Sequence, residues 1–367
     1  MKFPSAGALG ALLSLLLISA HAQTPAPAPA PENAPKTKPA TLREMVDVLN
    51  DAELDQILTL LKENYIKPDA LSDLAMKRAA VQGVIERIAP GAAILQAPEA
   101  GTAAAQPFRA EILGGGIGYI RLGSPTAGNI GELDAALGKF KGESLRSLVL
   151  DLRATPPGSD FKLTAEVCKR FSPKGKVLFS VKKPSLKQEQ ILTSQNDPQF
   201  QGILVVLVDG NTRGDAEIIA AVLRALANAM IIGQQTRGQA VEFADLPLTG
   251  GLLLRVAVAE TALPENIKVF PGGVKPDLSV DVPQETTDQV LRAELEKGVS
   301  EFVFETERAR MNEAALVAGQ NPEIEAAAAA QKAKAEKTKA PLRDAVLQRA
   351  VDFITTIALY EKRPAGK

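Results

Sequence analysis

"GILVVLVDGNTRGDAEIIAAVLRALANAMIIGQQTRGQ", residues 202–239, reads as strand, turn, helix, strand and turn in unbroken succession. The near-continuous apolar run "GILVVLVDG" is the pattern of a strand buried on both faces. Residues 215–229 then set Ile218, Ile219, Val222, Leu223 and Leu226 at spacings of three and four. That is the apolar stripe of a helix packed on a core rather than a cofactor site. "AMIIG" is a second short strand, and each strand runs into a turn rich in Gly, Asn or Gln.

The same alternation extends outward in both directions. "FRAEILGGGIGYIRLG" reads as paired strands, "GNIGELDAALGKFKG" as a helix and "LRSLVLDLR" as a short buried strand. The turn "ATPPGSD", a helix over 161–171, the strand "KVLFSV" and a polar connection rich in Lys and Gln lead back to residue 202. Beyond 239, "GGLLLRVAVAE" is a further strand and "PGGVKPDLSVDV" closes the core. Strands alternating with helices predict an α/β core over residues 108–283 with substantial parallel pairing.

Flanking segments read differently. Residues 41–95 are expected to be helical, with a break near Asn50-Asp51 and a further helix over 70–88 that stops at Pro90-Gly91. Residues 96–107 read as a loop, and 284–367 as a helical extension. Within that extension, residues 325–340 are Ala/Lys-rich and low in complexity, either a solvated helix or a flexible tether. "PLRDAVLQRAVDFITTIAL" is an amphipathic helix expected to dock.

Residues 1–22 carry one cation, Lys2, an apolar run from Ala6 to Ile18 and then Ala20-His21-Ala22, the pattern of a secretory signal peptide. Residues 23–40 form a Pro/Ala-rich linker expected to be extended and disordered. The expectation is export across the inner membrane to a periplasmic or extracellular location, with no transmembrane segment left after cleavage. The single histidine, His21, leaves with the signal, which excludes Ser-His and Cys-His catalysis and most zinc sites. No metal and no cofactor are expected. Cys168 is the one cysteine and sits in an apolar pattern, as a buried small hydrophobe does. With 42 Lys+Arg against 43 Asp+Glu, the chain has no electrostatic footprint for nucleic acid.

"GIGYIRLGSPTAGNIGELDAAL", "LVLDLRATPPG", "VVLVDGNTRGDAEIIAAVL", "MIIGQQTRGQ" and "GGVKPDLSV" occur in an order that resembles the carboxyl-terminal processing (tail-specific) serine peptidases. The resemblance covers about residues 108–281 and extends to the helices before them. It implies a ClpP/crotonase-like α/β core and a serine-lysine dyad, in which a neutral lysine serves as general base. It also implies a PDZ domain ahead of the core. Only about twenty residues separate Ala89 from Phe108, too few for any such module.

Laid on the family's S-A-S-A-S-E-I motif, Glu217-Ile218 fall on the final E-I and Gly214 falls on the nucleophile. Thr236-Arg237-Gly238-Gln239 match T-F-G-K in register, which puts Gln239 on the base. Glycine has no side chain to attack with, and a glutamine amide does not titrate in water. The family's D-L-R-x-N-P-G-G turn, whose backbone helps hold the oxyanion, here reads Asp151-Leu152-Arg153-Ala154-Thr155-Pro156-Pro157-Gly158. Pro157 replaces the first paired glycine and has no N–H to donate.

Thr212 is the nearest substitute nucleophile, with Asp215 and Glu242 as substitute bases; their ordinary roles are a turn hydroxyl and charges on the protein frame. Asp215 and Glu217 also complement a helix N-terminus. Asp151 and Arg153 end a buried strand and read as architecture. "RGD" at 213–215 matches an adhesion tripeptide but belongs to the degenerate motif. The leading expectation is an exported, inactive tail-specific-protease-like protein, a pseudoprotease, whose vacated cleft binds an extended peptide or a protein partner, an active protease relative among the candidates. The alternatives are an active serine-type or threonine-type peptidase with a relocated nucleophile, and an envelope structural module.

Overall fold

The computed structural model describes residues 41–96, 107–153, 155–156, 158, 160–264, 267–303 and 342–361. The expected signal peptide, the Pro/Ala linker, residues 97–106 of the expected loop, Pro157 and the Ala/Lys-rich segment lie outside these residues. The chain divides between Met76 and Lys77 into two units.

In the first unit, α1 (Leu42–Asp47) and α2 (Asp51–Asn64) are each opened by a reciprocal cap. The Thr41 hydroxyl accepts from Glu44 N at 3.3 Å while the Glu44 carboxylate accepts from Thr41 N at 2.7 Å. Asn50 and Glu53 repeat the arrangement at 3.0 and 2.9 Å, which is why the helix restarts at the expected break. A 3₁₀ turn at Pro68–Leu71 follows, and α3 (Asp73–Ile88) begins later than the expected 70 because the Ser72 hydroxyl accepts from Ala75 N.

In the second unit, β1 (Ala92–Gln96) is a strand that closes the region 41–95 expected to be helical, beyond the expected helix stop at Pro90-Gly91. "AAILQ" pairs antiparallel with a distant strand, a contact its own pattern does not announce. Next come β2 (Arg109–Leu113), β3 (Ile117–Arg121), α4 (Ala127–Gly142), β4 (Ser147–Asp151), α5 (Phe161–Lys169), β5 (Val177–Lys183), β6 (Gln188–Thr193), β7 (Ile203–Val208), α6 (Asp215–Ala227) and β8 (Met230–Gly233). The chain continues through β9 (Val241–Pro247), β10 (Leu252–Ala262), β11 (Leu278–Ser279), α7 (Gln284–Lys297) and α8 (Ala345–Glu361).

The main sheet has the order β11-β8-β7-β4-β3-β2, parallel except for β2, which runs antiparallel to β3. The second sheet is antiparallel and runs β1-β10-β5-β6, with β9 also paired to β10. β6 lies inside the expected polar connection. Its side chains are mostly exposed, so backbone pairing to β5 and not apolar patterning makes it a strand.

Alternation along the central strands builds a core on each face of the main sheet. Leu148, Leu150, Leu204, Val206, Val208 and Ile231 point to α4, α5 and α6. Val149, Val205, Leu207 and Ile232 point to the face where α8 places Leu347, Ala350 and Ile354. Both faces being covered explains the unbroken apolar runs of β4 and β7. Cys168 lies fully buried on α5, as its neighbours suggested. Among the described residues no helix is long and apolar enough to cross a membrane.

At the carboxyl ends of β3 and β4, Asp151 is a fully buried acid held by several donors. It accepts from the Tyr119 hydroxyl at 2.6 Å, from Arg121 at 3.2 Å and from the Arg153 side chain at 2.8 and 2.9 Å. Arg153 reaches on to Asp344, bidentate at 2.6 and 3.0 Å, and Arg121 to Glu294 of α7. Asp344 in turn caps α8, accepting from Val346 N and Leu347 N at 3.1 and 2.9 Å. Despite the cost of burial, Arg153 and Arg121 hold the Asp151 carboxyl well below the usual range. Asp151 and Arg153 are thus architectural. Replacing Arg153 by Met leaves two buried carboxyl groups short of their cation and is expected to cost about 3–5 kcal/mol in chemical denaturation.

Candidate functional site

β7 delivers the chain into a closed turn. Asp209 Oδ1 accepts from Asn211 N, Thr212 N and the Thr212 hydroxyl at 3.0, 2.7 and 2.8 Å. Thr212 Oγ1 also accepts from Asp209 N at 2.9 Å and is wholly buried. The hydroxyl considered as a substitute nucleophile is therefore committed in both directions and hidden from solvent. It is a turn residue.

Gly214 follows with φ 62° and ψ −125°, a backbone conformation that glycine adopts without penalty and other residues avoid. A Cβ on it would stand 2.8 Å from the carbonyl oxygen of Gly158. The position aligned with the nucleophile thus lacks room for any side chain, and Gly158, of the oxyanion-turn equivalent, fills that room.

Glu217, one turn into α6, holds the two turns together. Its Oε2 accepts from Gly214 N at 3.1 Å and from Gln239 N at 2.6 Å. Its Oε1 accepts from Gly238 N at 2.6 Å and from the Thr236 hydroxyl. Thr236 Oγ1 also accepts from Val274 N at 2.8 Å, and Arg237 N donates to Thr212 O at 3.0 Å. Burial pushes the Glu217 carboxyl upward, while these donors oppose the shift. Gly238 turns at φ 73°, where a Cβ would collide with the carbonyl of Pro271. Sequence reading placed Glu217 at a helix N-terminus; its bridging role depends on residues 19 to 22 positions later.

The other candidates separate. Glu242 lies on β9 and pairs with Lys183 at 2.8 Å, which makes it part of the second sheet's surface. Gln239 is half-buried, and its backbone, bonded to Glu217, closes the second turn. Asp215 is fully buried, and neither carboxyl oxygen has a well-formed hydrogen bond among the described residues. Burial pushes it up to about 6, with Asp160 adding to the shift and Thr164 opposing it. It packs against Gly158.

Beside these turns, at the carboxyl ends of β3, β4 and β7, lies a cavity of about 370 Å³ with Arg121, Arg153, Asp209, Asn211 and Arg292 in its lining. Such a position outside the carboxyl ends of parallel strands is where open α/β sheets bind ligands.

Glu217→Ala leaves three backbone N–H groups without an acceptor. We expect a loss of at least about 3 kcal/mol, with faster amide exchange at 236–239. Asp215 yields a pH signature. Its folded pKa is raised from 3.8 to about 6, so the stability present at acid pH is lost as pH rises through that window. Asp215→Asn is expected to stabilise the protein above pH 6 by up to about 3 kcal/mol, and the gain should vanish as pH falls to 3.8, read from urea midpoints.

A family model, that of peptidase family S41, matches residues 116–280. The chain is 26% identical over 170 residues to a carboxyl-terminal-processing protease of Synechocystis sp., covering 46% of this chain and 39% of that protein. It is 29% identical over 171 residues to one of Picosynechococcus sp., covering 46% and 40%. The chain therefore spans about two fifths of the length of the curated relatives it matches. Among solved structures it is similar to a photosystem II D1 C-terminal processing protease, at 24% identity and a TM-score of 0.42, over 58% of this chain and 52% of that one. Residues 116–280 are thus similar to peptidase family S41, and to the carboxyl-terminal-processing proteases in particular.

Proposed function

We propose that this protein is an exported, tail-specific-protease-like protein that does not cleave peptides and instead holds an extended peptide or protein partner at its vacated site. The observation that carries this reading is Gly214. Its position aligns with the nucleophile, its backbone favours glycine, and the Gly158 carbonyl stands 2.8 Å from where a Cβ would be. Gln239 stands at the base position, Thr212 is locked in its turn, and Pro157 has no N–H for an oxyanion.

Binding without cleavage needs only main-chain pairing and a receptive surface. β9 begins two residues after Gln239 and is paired to β10 on one side; no partner strand takes its other side among the described residues. A ClpP/crotonase-like core, a signal peptide at 1–22, a linker at 23–40 and a periplasmic or extracellular location complete the proposal. An active relative is one candidate partner.

A second reading, a peptidase with a relocated nucleophile, draws on Asp215, whose pKa near 6 suits a general base. Full burial of both Asp215 and Thr212 counts against it.

The test incubates the purified protein with an unfolded protein substrate and a fluorophosphonate probe, beside Thr212→Ala and a Gly214→Ser/Gln239→Lys double variant. We expect neither turnover nor labelling from the parent. Turnover that disappears in Thr212→Ala would overturn the proposal. The double variant should also stay unlabelled, because its serine Cβ meets Gly158. Gly214→Ser alone should cost about 1–3 kcal/mol in thermal or chemical denaturation.

A further inference from the structure

Laid on the S-A-S-A-S-E-I and T-F-G-K patterns, two arginines stand out. Arg213 falls on the alanine before the nucleophile, and Arg237 falls on the phenylalanine. Neither is demanded by the frame, which is held by Glu217, Thr236 and the glycines.

The turns bring them together. Arg237 N donates to Thr212 O at 3.0 Å, so the two arginines sit on adjoining backbone segments. Arg237 is exposed and donates from its guanidinium to the neutral Asn211 amide at 3.0 Å. Arg213 is half-buried and, among the described residues, pairs with no carboxylate. Burial first, and then the neighbouring cations Arg237 and Arg255, lower its pKa. Arg255 is already neutralised by Asp245, bidentate at 2.7 and 2.8 Å. Uncompensated like charge on adjoining turns is costly unless an anion completes it. The bound anion must also suit an extended chain, since β9 leaves its outer side unpaired among the described residues directly after Gln239.

We propose that the vacated site selects an acidic peptide segment, whose Asp or Glu side-chain carboxylates are received by Arg213 and Arg237. This deepens the reading of the site as a peptide holder and rests on it. The arginines take the place of the lost dyad as the groups that decide what binds.

The experiment is fluorescence anisotropy on the purified protein with three labelled ten-residue peptides: a Glu-rich one with an amidated C-terminus, its Gln counterpart, and the Gln counterpart with a free C-terminus. The Glu peptide should bind roughly ten-fold or more tightly than the Gln peptide, and added salt should weaken it. Arg213→Gln and Arg237→Gln, tested separately and checked for folding by circular dichroism, should each remove most of that preference while leaving the Gln peptide unchanged. Equal binding of Glu and Gln peptides, unaffected by either variant, overturns the acidic preference but leaves the peptide-holding reading intact. Preference for the free C-terminus alone also overturns it. Binding of none of the three overturns both.

Discussion

Asp151 is a carboxylate with no solvent around it, and the carboxyl ends of the main sheet are organised by its need for donors. Tyr119 and Arg121 come from β3, Arg153 from the turn after β4, and each donates to it. The arginines then carry the charge onward to Glu294 and Asp344, so that α7 and the start of α8 are tied to the same point. Three carboxyl groups face two guanidiniums. Burial first, and the nearby Asp344 second, push Glu294 up to about 8. Such a cluster contributes less net stability than its contacts suggest, because desolvation offsets much of the attraction. What its contacts do set is which residues of α7 and α8 meet the carboxyl ends of the sheet.

That arrangement leaves the ends of β7 and β8 to be joined by a second buried acid. Glu217 accepts from N–H groups of both turns and thereby ties Gly214 to Gln239. The two turns are thus joined by hydrogen bonds from Glu217 to backbone groups rather than by any contact between the side chains at 214 and 239. The Gly158 carbonyl occupies the space beside Gly214.

Much of this was legible beforehand. The apolar runs of β4 and β7 and the stripe of α6 identify the α/β core because double-sided burial and helical spacing leave plain patterns in sequence. The break at Asn50 was readable from local capping chemistry. β1, β6 and β9 were not, because "AAILQ", "QEQILT" and "VEFADLP" become strands through partners far away in the chain. The role of Glu217 was hidden for the same reason. A capping position is a local signal, whereas a bridge between two turns exists only after β7 and β8 pair.

Residue identity alone settles the alternating α/β pattern of the core and the absence of a hydroxyl at 214 and an amine at 239. Only the packed chain shows that Thr212 is buried and bonded to Asp209, that Glu242 belongs to another surface and that a Cβ at Gly214 would crowd the Gly158 carbonyl. Those facts depend on which buried groups satisfy one another and on how closely Gly158 approaches α6. Neither burial nor approach is written in any local stretch, because both arise when distant segments compete for the same space and the same hydrogen bonds.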